Sequence, residues 1–228
     1  NGIAKLRELI LQLAERGRLV PQDPNDEPAS VLLDQIRTEK VQLEAEEKIR
    51  KGKAIPAIDS AAVPFELPNG WVWVRLIELA YPQAGFAFKS LGFNDVGTGL
   101  PLIRIRDVGR FFSGTYYEGE YRDEFLVETG EYVISMDGQF RVAKWTGPKA
   151  LLNQRVSRLV FYAAECAQRF VTDALQFRLN QLQGVKAYTT VDHLSGKQIS
   201  ESVIAIPPVN EQHRIVAKVD QLMALCDS

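Results

Sequence analysis

The chain has 228 residues, of which 46% are hydrophobic and 25% charged, as in an ordinary globular protein. It contains no apolar run near the roughly 20 residues that cross a bilayer, and its first residues lack the layout of a signal peptide. We therefore expect a cytoplasmic protein without a membrane anchor. The net charge of −2 argues against binding to polyanions through bulk charge, so any nucleic-acid contact needs a local basic surface or charge from a partner.

Two helices are predicted near the N-terminus. Apolar residues recur at three- and four-residue steps from Ile3 to Arg16. A second helix is predicted to start at Pro28, because proline suits the first helical turn. It is heavily charged from Glu39 to Lys53, and this part is expected to lie in solvent or to pair along another helix.

A Pro- and Ala-rich linker is predicted next, and short strand-like runs punctuated by glycine follow it. The strands are predicted at 71–74, 101–108, 131–135, 156–161 and 203–206. In the second of them, Ile103 and Ile105 are expected on one face, with Arg104 and Arg106 on the other. A helix is predicted from Ala164 to Leu182, with its inward residues at Phe170, Ala174, Phe177 and Leu182. The mixture predicts an α+β fold with a twisted mixed or antiparallel sheet.

The C-terminal segment predicts one more helix. The last strand should end at Pro207 and Pro208, since proline donates no hydrogen bond to a ladder, and Asn210 is expected to cap the helix. An apolar seam follows, formed by Ile215, Val219, Leu222, Met223 and Cys226. The seam is compatible with pairing to a second helix and equally with a helix folded back on its own domain.

No catalytic constellation is found in the sequence. The glycines from Gly85 to Gly99 fit neither a dinucleotide-binding nor a P-loop pattern. The histidines, His193 and His213, have no carboxylate or cysteine at metal-ligand spacing, and surface or capping roles are expected for them. The cysteines, Cys166 and Cys226, are expected to be small buried hydrophobic residues. We therefore expect neither a metal site nor a cofactor.

An ordered set of stretches spread over nearly the whole chain resembles one protein family, the specificity subunits of type I restriction-modification systems. The stretches are "LAERGRLVPQDPNDEPASVLL" from Leu13, "LPNGWVWVRL" from Leu67, "FKS" from Phe88, "PLIRIRDV" from Pro101, "NQRV" from Asn153, "TVDHLSGKQIS" from Thr190 and "IPPVNEQHRIVAKVDQL" from Ile206. Each piece alone is weak, but their joint order is specific.

The resemblance implies a non-catalytic reader of double-stranded DNA. Such subunits resemble a tandem of two target recognition domains, each reading half of a bipartite site. Long helices between them dock modification subunits that methylate adenine, and a restriction subunit adds translocation and cleavage. Each motif occurs once here, so the chain resembles an N-terminal half, either part of a longer protein or a half-sized subunit that could self-associate. The implied division is a helical region at 1–55, a recognition domain at 56–209 and the start of a spacer helix at 210–228.

The richest candidate DNA surface is the stretch from Ser135 to Arg158, with five basic residues against one acidic residue. The predicted contacts there are Gln139, Arg141, Lys144, Lys149, Asn153, Gln154 and Arg155. Amide side chains can pair with adenine edges, and the basic ones can bind phosphate or guanine. A strand pair with a solvated basic face is the alternative, and Arg155 and Arg158 could equally be structural.

Two further pairs are candidate DNA contacts. Arg104 and Arg106 suit guanine or phosphate, although ion pairs to the acidic run from Glu118 to Glu131 fit them as well. Lys89 and Ser90 lie in a glycine-flanked loop and could hold phosphate. A rival hypothesis makes the chain an assembly adaptor whose charged helices bind protein. A self-contained methyltransferase is a third, which the missing motifs disfavour.

Overall fold

The computed structural model describes residues 2–49, 57–59, 63–164, 167–186 and 193–227. Its helices are α1 (Gly2–Glu15), α2 (Ala29–Ala45), α3 (Leu76–Leu79), α4 (Gln168–Lys186), α5 (Gly196–Ser200) and α6 (Val209–Asp227). Its strands are β1 (Val72–Arg75), β2 (Ala80–Ala84), β3 (Phe93–Asn94), β4 (Leu100–Ile103), β5 (Tyr116–Tyr117), β6 (Leu126–Val127), β7 (Tyr132–Ser135), β8 (Val142–Lys144), β9 (Ala150–Leu152), β10 (Val156–Phe161) and β11 (Val203–Ile206). Helices and mainly antiparallel strands occur together, which confirms the predicted α+β class.

The chain packs into two compact units. Unit 1 combines Asn1–Tyr81, Phe161–Phe177 and Glu201–Ser228, and unit 2 combines Pro82–Val160 and Arg178–Ser200. Each unit is thus assembled from segments that are distant in sequence. The predicted division into a helical region at 1–55, a recognition domain at 56–209 and a spacer helix from 210 concerns the roles of the segments rather than their packing. It stays a prediction.

Unit 1 is held together by long-range pairings. Strands β1 and β11 are antiparallel, with Val72 opposite Ile206 and Arg75 opposite Val203. Helix α1 packs against α6, and Ile10, Ala14, Ile215 and Val219 are buried there. Helix α2 buries a separate apolar face made of Ala29, Leu32, Leu33 and Ile36.

The start of α6 is tied to the rest of unit 1 by two buried polar side chains. The indole Nε1 of Trp71 donates to Oε2 of Glu211 at 3.0 Å. The Gln212 amide donates to the Pro207 carbonyl at 2.9 Å and accepts from the Ala167 backbone N–H at 3.1 Å. Both Glu211 and Gln212 are almost fully inaccessible to solvent. These bonds fix the start of β1, next to Trp71, and the end of β11, next to Pro207, relative to helix α6.

Burial raises the pKa of the Glu211 carboxyl above its usual range, although the hydrogen bond from Trp71 opposes this. The folded pKa therefore exceeds the unfolded one, and the carboxyl contributes most to stability below its ordinary pKa of 4.5. That contribution is lost as the pH rises through the folded pKa, because a buried charge then forms without full solvation.

We expect Glu211→Gln to be more stable than the unaltered chain at neutral pH, because it keeps an acceptor for Trp71 and removes the buried charge. The difference in melting temperature should grow between about pH 4 and about pH 7, as measured by thermal unfolding at each pH. Glu211→Ala is the control, and it should destabilise at every pH because it leaves the indole N–H unpaired. A pH-independent difference for the Gln variant would contradict this reasoning.

Unit 2 contains two sheets. One has the strand order β2-β10-β7-β8, with antiparallel β10/β7 and β7/β8 pairs, and the other has the order β3-β5-β4-β9-β6. The second sheet is mixed, since β4 and β9 are parallel whereas its other pairs are antiparallel. Between these strands lies an apolar core that includes Phe88, Leu102, Ile103, Val108, Tyr117, Phe125, Val127, Val133, Trp145, Leu151 and Val156.

The predicted strand over 101–108 is wrong beyond Ile103. The chain turns there into a single 3-10 turn at Ile105–Asp107. The buried Asp107 carboxylate accepts from the backbone N–H of Arg104 and of Ser113, at 2.8 and 2.7 Å, and so stabilises the turn. Ile105 is consequently 38% exposed, whereas Ile103 is buried. The alternation of the sequence does not reveal a carboxylate that caps a turn.

Helix boundaries also differ from the predictions. Helix α4 starts at Gln168 rather than Ala164, and the backbone N–H of Ala167, which precedes it, donates to the Gln212 side chain. Helix α6 starts at Val209, one residue before the predicted cap. Helix α2 ends at Ala45, well before Lys53, and Glu47 then adopts a left-handed conformation. The predicted region from 50 to 53 lies outside the described residues.

Candidate nucleic-acid interface

Three segments of unit 2 meet at the backbone of Met136. The Met136 N–H donates to the Arg155 carbonyl at 3.0 Å, and the Met136 carbonyl accepts from the Leu194 N–H at 2.7 Å. Met136 begins the hairpin tip between β7 and β8, whereas Arg155 lies in the turn between β9 and β10. The structure therefore brings together parts of the predicted basic stretch and a segment that begins at His193.

Asp137 is the centre of the charged side chains at this junction. Its Oδ2 lies 2.5 Å from Nη1 of Arg155, and its Oδ1 lies 2.6 Å from Nδ1 of His193. Burial acts to raise the pKa of the Asp137 carboxyl, but the hydrogen bonds from His193 and Arg155 outweigh burial and hold it below its usual range. The carboxylate is 18% exposed, whereas Arg155 is 56% and His193 45% exposed. A largely covered anion thus holds two exposed side chains.

The hairpin tip presents a second polar pair. The Arg141 guanidinium donates to the Gln139 side-chain oxygen through Nε and Nη2. Ser135 fixes the backbone beneath them, because its hydroxyl donates to the Gln139 carbonyl at 2.7 Å and accepts from the Arg141 N–H at 2.9 Å. Gln139 is exposed and Arg141 is half-buried. We name the set Asp137, Gln139, Arg141, Gln154, Arg155 and His193 the junction surface.

Asn153 and Gln154 differ in accessibility, although both are predicted contacts. Asn153 is 9% exposed, and its side-chain oxygen accepts from the Gln154 backbone N–H at 2.9 Å. Gln154 is exposed at the turn next to Arg155. In this conformation the amide of Asn153 shapes the turn, whereas that of Gln154 is open to solvent.

The other basic residues of the stretch engage partners within unit 2. Lys149 Nζ lies 2.6 Å from Oε1 of Glu128, and Lys144 Nζ lies over the Tyr132 ring, 5.4 Å from its centre. Both lysines are exposed. Arg158 is only 16% exposed, and it binds Glu131, Gln83 and the Leu126 carbonyl. Of the two roles left open for Arg158, the structural one fits this geometry.

Arg104 and Arg106 no longer share a strand face, because β4 ends before them. Arg106 donates to the hydroxyls of Ser113 and Thr115, at 3.0 and 2.9 Å. The Arg104 guanidinium carbon lies 5.9 Å from the centre of the Phe93 ring. Arg106 therefore contacts its own loop and Arg104 contacts Phe93 of β3, and these contacts do not involve the acidic run from Glu118 to Glu131.

Lys89 and Ser90 are exposed, and Lys89 lines an open groove of about 740 Å³. Phe86 and Phe125 form part of its wall, and the Arg122 guanidinium lies over the Phe125 ring at 4.9 Å from its centre. Glu118 and Glu120 also line the groove. It therefore combines aromatic surface with charges of both signs.

The predicted partner seam on α6 divides into a covered and an accessible part. Ile215 and Val219 are buried within unit 1, next to Phe170 and Ala14. Leu222, Met223 and Cys226 are partly exposed. The prediction that Cys226 is buried is thus wrong, because it lies beyond Val219, the last buried residue in the described part of α6. Cys166 lies outside the described residues.

Among the residues that the structure describes, no three His, Cys, Asp or Glu side chains are grouped so that they could hold a metal ion. None of the helices within the described ranges combines the length and apolarity needed to cross a membrane.

The sequence pattern of the type I restriction modification DNA specificity domain matches residues 68–228. The chain belongs to this family. The match covers unit 2 in full and includes the strands and helix α6 of unit 1. It confirms the resemblance on which the sequence-based prediction rested.

Curated members of the family are similar over nearly the whole chain. The EcoAI specificity subunit of Escherichia coli is 36% identical over 99% of this chain and 41% of its own length. The EcoEI specificity subunit of the same organism is 34% identical over 99% of this chain and 40% of its own length. The chain thus spans about two fifths of the curated relatives that it matches.

Solved structures show the same fold. The HsdS subunit from Thermoanaerobacter tengcongensis matches with a TM-score of 0.55, at 18% identity, over 99% of this chain and 50% of that one. A chain from a study of complex assembly and conformational transition in a type I R-M system matches with a TM-score of 0.59, also at 18% identity, over 99% and 51%. The family fold is therefore present in this chain at low identity to these structures.

Sequence reasoning missed the grouping of Asp137 and His193. Asp137 is the single acidic residue within the basic stretch, and His193 lies in the family-like segment "TVDHLSGKQIS". Those two facts were the only signals in the sequence for a role of either residue. Because Asp137 and His193 are 56 residues apart, the sequence gave no reason to connect them.

Proposed function

We propose that this family member recognises double-stranded DNA in a sequence-specific manner and has no catalytic activity of its own. It reads one half of a bipartite site and positions the modification and restriction subunits of a type I restriction-modification complex. The observation that carries this proposal is the family match over residues 68–228. A cytoplasmic location follows from the proposed access to DNA.

The junction surface supports this proposal as the place of DNA contact. Guanidinium, imidazole and amide groups from three chain segments lie together on it, and these are the groups that reach base edges and phosphates. Lys89, Ser90, Lys144 and Lys149 stay proposed phosphate contacts. Arg104, Arg106 and Asn153 stay proposed contacts as well, although each is engaged within unit 2 here.

We propose that the helices of unit 1 contact the partner subunits or a second copy of the chain. On α1, Ile3, Leu6 and Leu9 are 52%, 48% and 48% exposed. On α6, Leu222, Met223 and Cys226 are partly exposed, and Leu225 is 67% exposed. Apolar helix surface of this kind is typical of protein contacts. The net charge of −2 fits a reader whose partners supply part of the positive charge.

Methylome mapping tests the proposed function. The complete subunit and its modification subunits are expressed in a host that lacks adenine methylation, and the methylated adenines are recorded. We expect a bipartite motif with a fixed gap. No new methylation by a soluble, co-purifying complex would overturn the proposal and favour the assembly adaptor.

Alanine substitutions separate the reader from the adaptor. We expect the combined change of Arg141, Lys144 and Arg155 to alanine to abolish methylation while the complex still assembles, because phosphate and base contacts are lost together. DNA affinity should fall by at least about 10-fold and lose part of its dependence on salt. Arg122→Ala is the control, since its guanidinium pairs with Glu124 at 2.9 Å. Intact methylation by the triple variant would contradict direct reading by this surface.

A further inference from the structure

The arrangement around Asp137 differs from that of a simple phosphate site. A carboxylate beside a guanidinium cancels much of its attraction for phosphate. Here the Asp137 carboxylate contacts both Arg155 and His193, at 2.5 and 2.6 Å. Phosphate binding alone gives no reason for an acidic side chain at the centre of a basic stretch. Another kind of contact is needed to account for it.

The geometry favours a base edge as the target of Arg155. Only Nη1 contacts Asp137, and within the described part of the chain the other guanidinium nitrogens have no hydrogen-bond partner. The side chain is 56% exposed, so these donors reach solvent. A guanidinium has donors only, and its planar fork matches the adjacent O6 and N7 acceptors of guanine. The amino group of adenine would place a donor against this fork.

Asp137 restricts both the position and the rotation of that fork. Its two oxygens are held by different residues, Arg155 on Oδ2 and His193 on Oδ1, so rotation of the carboxylate breaks one of the two contacts. The Met136 backbone bonds fix the main chain of Arg155 and that of Leu194, the residue after His193. A side chain ordered before binding loses less conformational entropy when it binds. Preorganisation of this kind increases the difference between the right and the wrong base.

We propose that Arg155 is a specificity-determining residue that selects a guanine in the half-site, and that Asp137 is its positioning residue, with His193 fixing the other carboxylate oxygen. This inference rests on the proposed function, because it names the base that the junction surface reads. Arg155 makes the base contact, and Asp137 acts through Arg155. His193, which sequence reasoning placed in a surface or capping role, belongs to the same arrangement.

The test uses the complete subunit assembled with its modification subunits, and duplexes that carry the methylation site of the unaltered complex. Each G·C pair of the half-site is replaced in turn by A·T, and methylation rates and affinities are compared. For the unaltered complex we expect discrimination of roughly 5- to 150-fold at the position that Arg155 reads, the value of one bidentate contact. Asp137→Asn should reduce the discrimination between G·C and A·T by at least about 5-fold at that position alone. Arg155→Lys should do the same while retaining positive charge.

Glu128→Gln is the matched control, because it breaks an exposed ion pair of unit 2, with Lys149, without touching Arg155. It should leave the base-by-base profile unchanged. A half-site without a G·C pair, an unchanged profile for Asp137→Asn, or an equal loss at all positions would overturn the assignment, the last because it indicates a merely structural role. Failure of the proposed function looks different, since the unaltered complex would then show no sequence-specific methylation.

Discussion

Replacing Arg158 with alanine is expected to lower the free energy of unfolding by about 3 kcal/mol, the cost of breaking a largely buried ion pair. Arg158 lies in the basic stretch, but its Nη2 donates to the Gln83 side chain at 2.6 Å and its Nη1 lies 3.2 Å from Glu131. The Leu126 carbonyl is a further acceptor. Alanine would leave these groups without their donor in a partly buried site.

Lys149→Ala is the control for Arg158→Ala, since it removes a basic residue from the same stretch. Its Nζ pairs with Glu128, but both side chains are at least half exposed, at 50% and 60%. Exposed ion pairs contribute little to stability, so we expect an unchanged denaturation midpoint. Urea unfolding followed by circular dichroism measures both variants. Equal stability of the two would mean that Arg158 faces solvent and is available to DNA.

Gly99→Ala is expected to destabilise unit 2 by on the order of 4 kcal/mol or more, and so to prevent accumulation of folded protein. Gly99 has a φ of +83°, and a Cβ there would lie 2.1 Å from the Tyr117 carbonyl oxygen. Backbone atoms cannot move aside as a flexible side chain can. The pairing of β4 with β5, in which Leu100 lies opposite Tyr117, would have to open.

Gly97→Ala separates the two causes of that expected effect. Gly97 has a similar φ of +87°, but nothing lies within 4 Å of its added Cβ. Alanine there should cost only the left-handed strain, roughly 1–2 kcal/mol. Soluble yield and melting temperature measure both variants. If Gly97→Ala were as harmful as Gly99→Ala, conformational strain rather than close backbone approach would be responsible.

The sequence predicted those elements whose residues follow a plain apolar pattern. Strands β10 and β11 have the predicted bounds, and Phe170, Ala174 and Phe177 are buried on α4 as expected. Elements whose ends depend on a side-chain partner were predicted less well. The Asp107 carboxylate stabilises the turn that follows β4, and Gln212 binds the backbone N–H just before α4. Neither partner is visible from local periodicity.

The same reason explains the outcome at the candidate surface. The stretch from Ser135 to Arg158 could be identified from its local charge, because that property needs no tertiary contact. The roles within it depend on distant partners. Arg158 binds Gln83, and Asp137 binds His193. Neither pairing follows from spacing in the sequence. Sequence therefore indicated a region, whereas individual roles required the fold.

The pairing of β1 with β11 has a consequence for synthesis on the ribosome. Val72 and Ile206 are neighbours in the sheet, and α1 packs against α6, so unit 1 needs residues from both ends of this sequence. A ribosome adds about 5–20 residues each second, so helix α1 waits roughly 10 to 40 seconds for its partner α6. During that interval the apolar face of α1 that α6 later covers is available to chaperones or to other nascent chains. Translation speed between Val72 and Ile206 should therefore influence how much of the protein escapes aggregation.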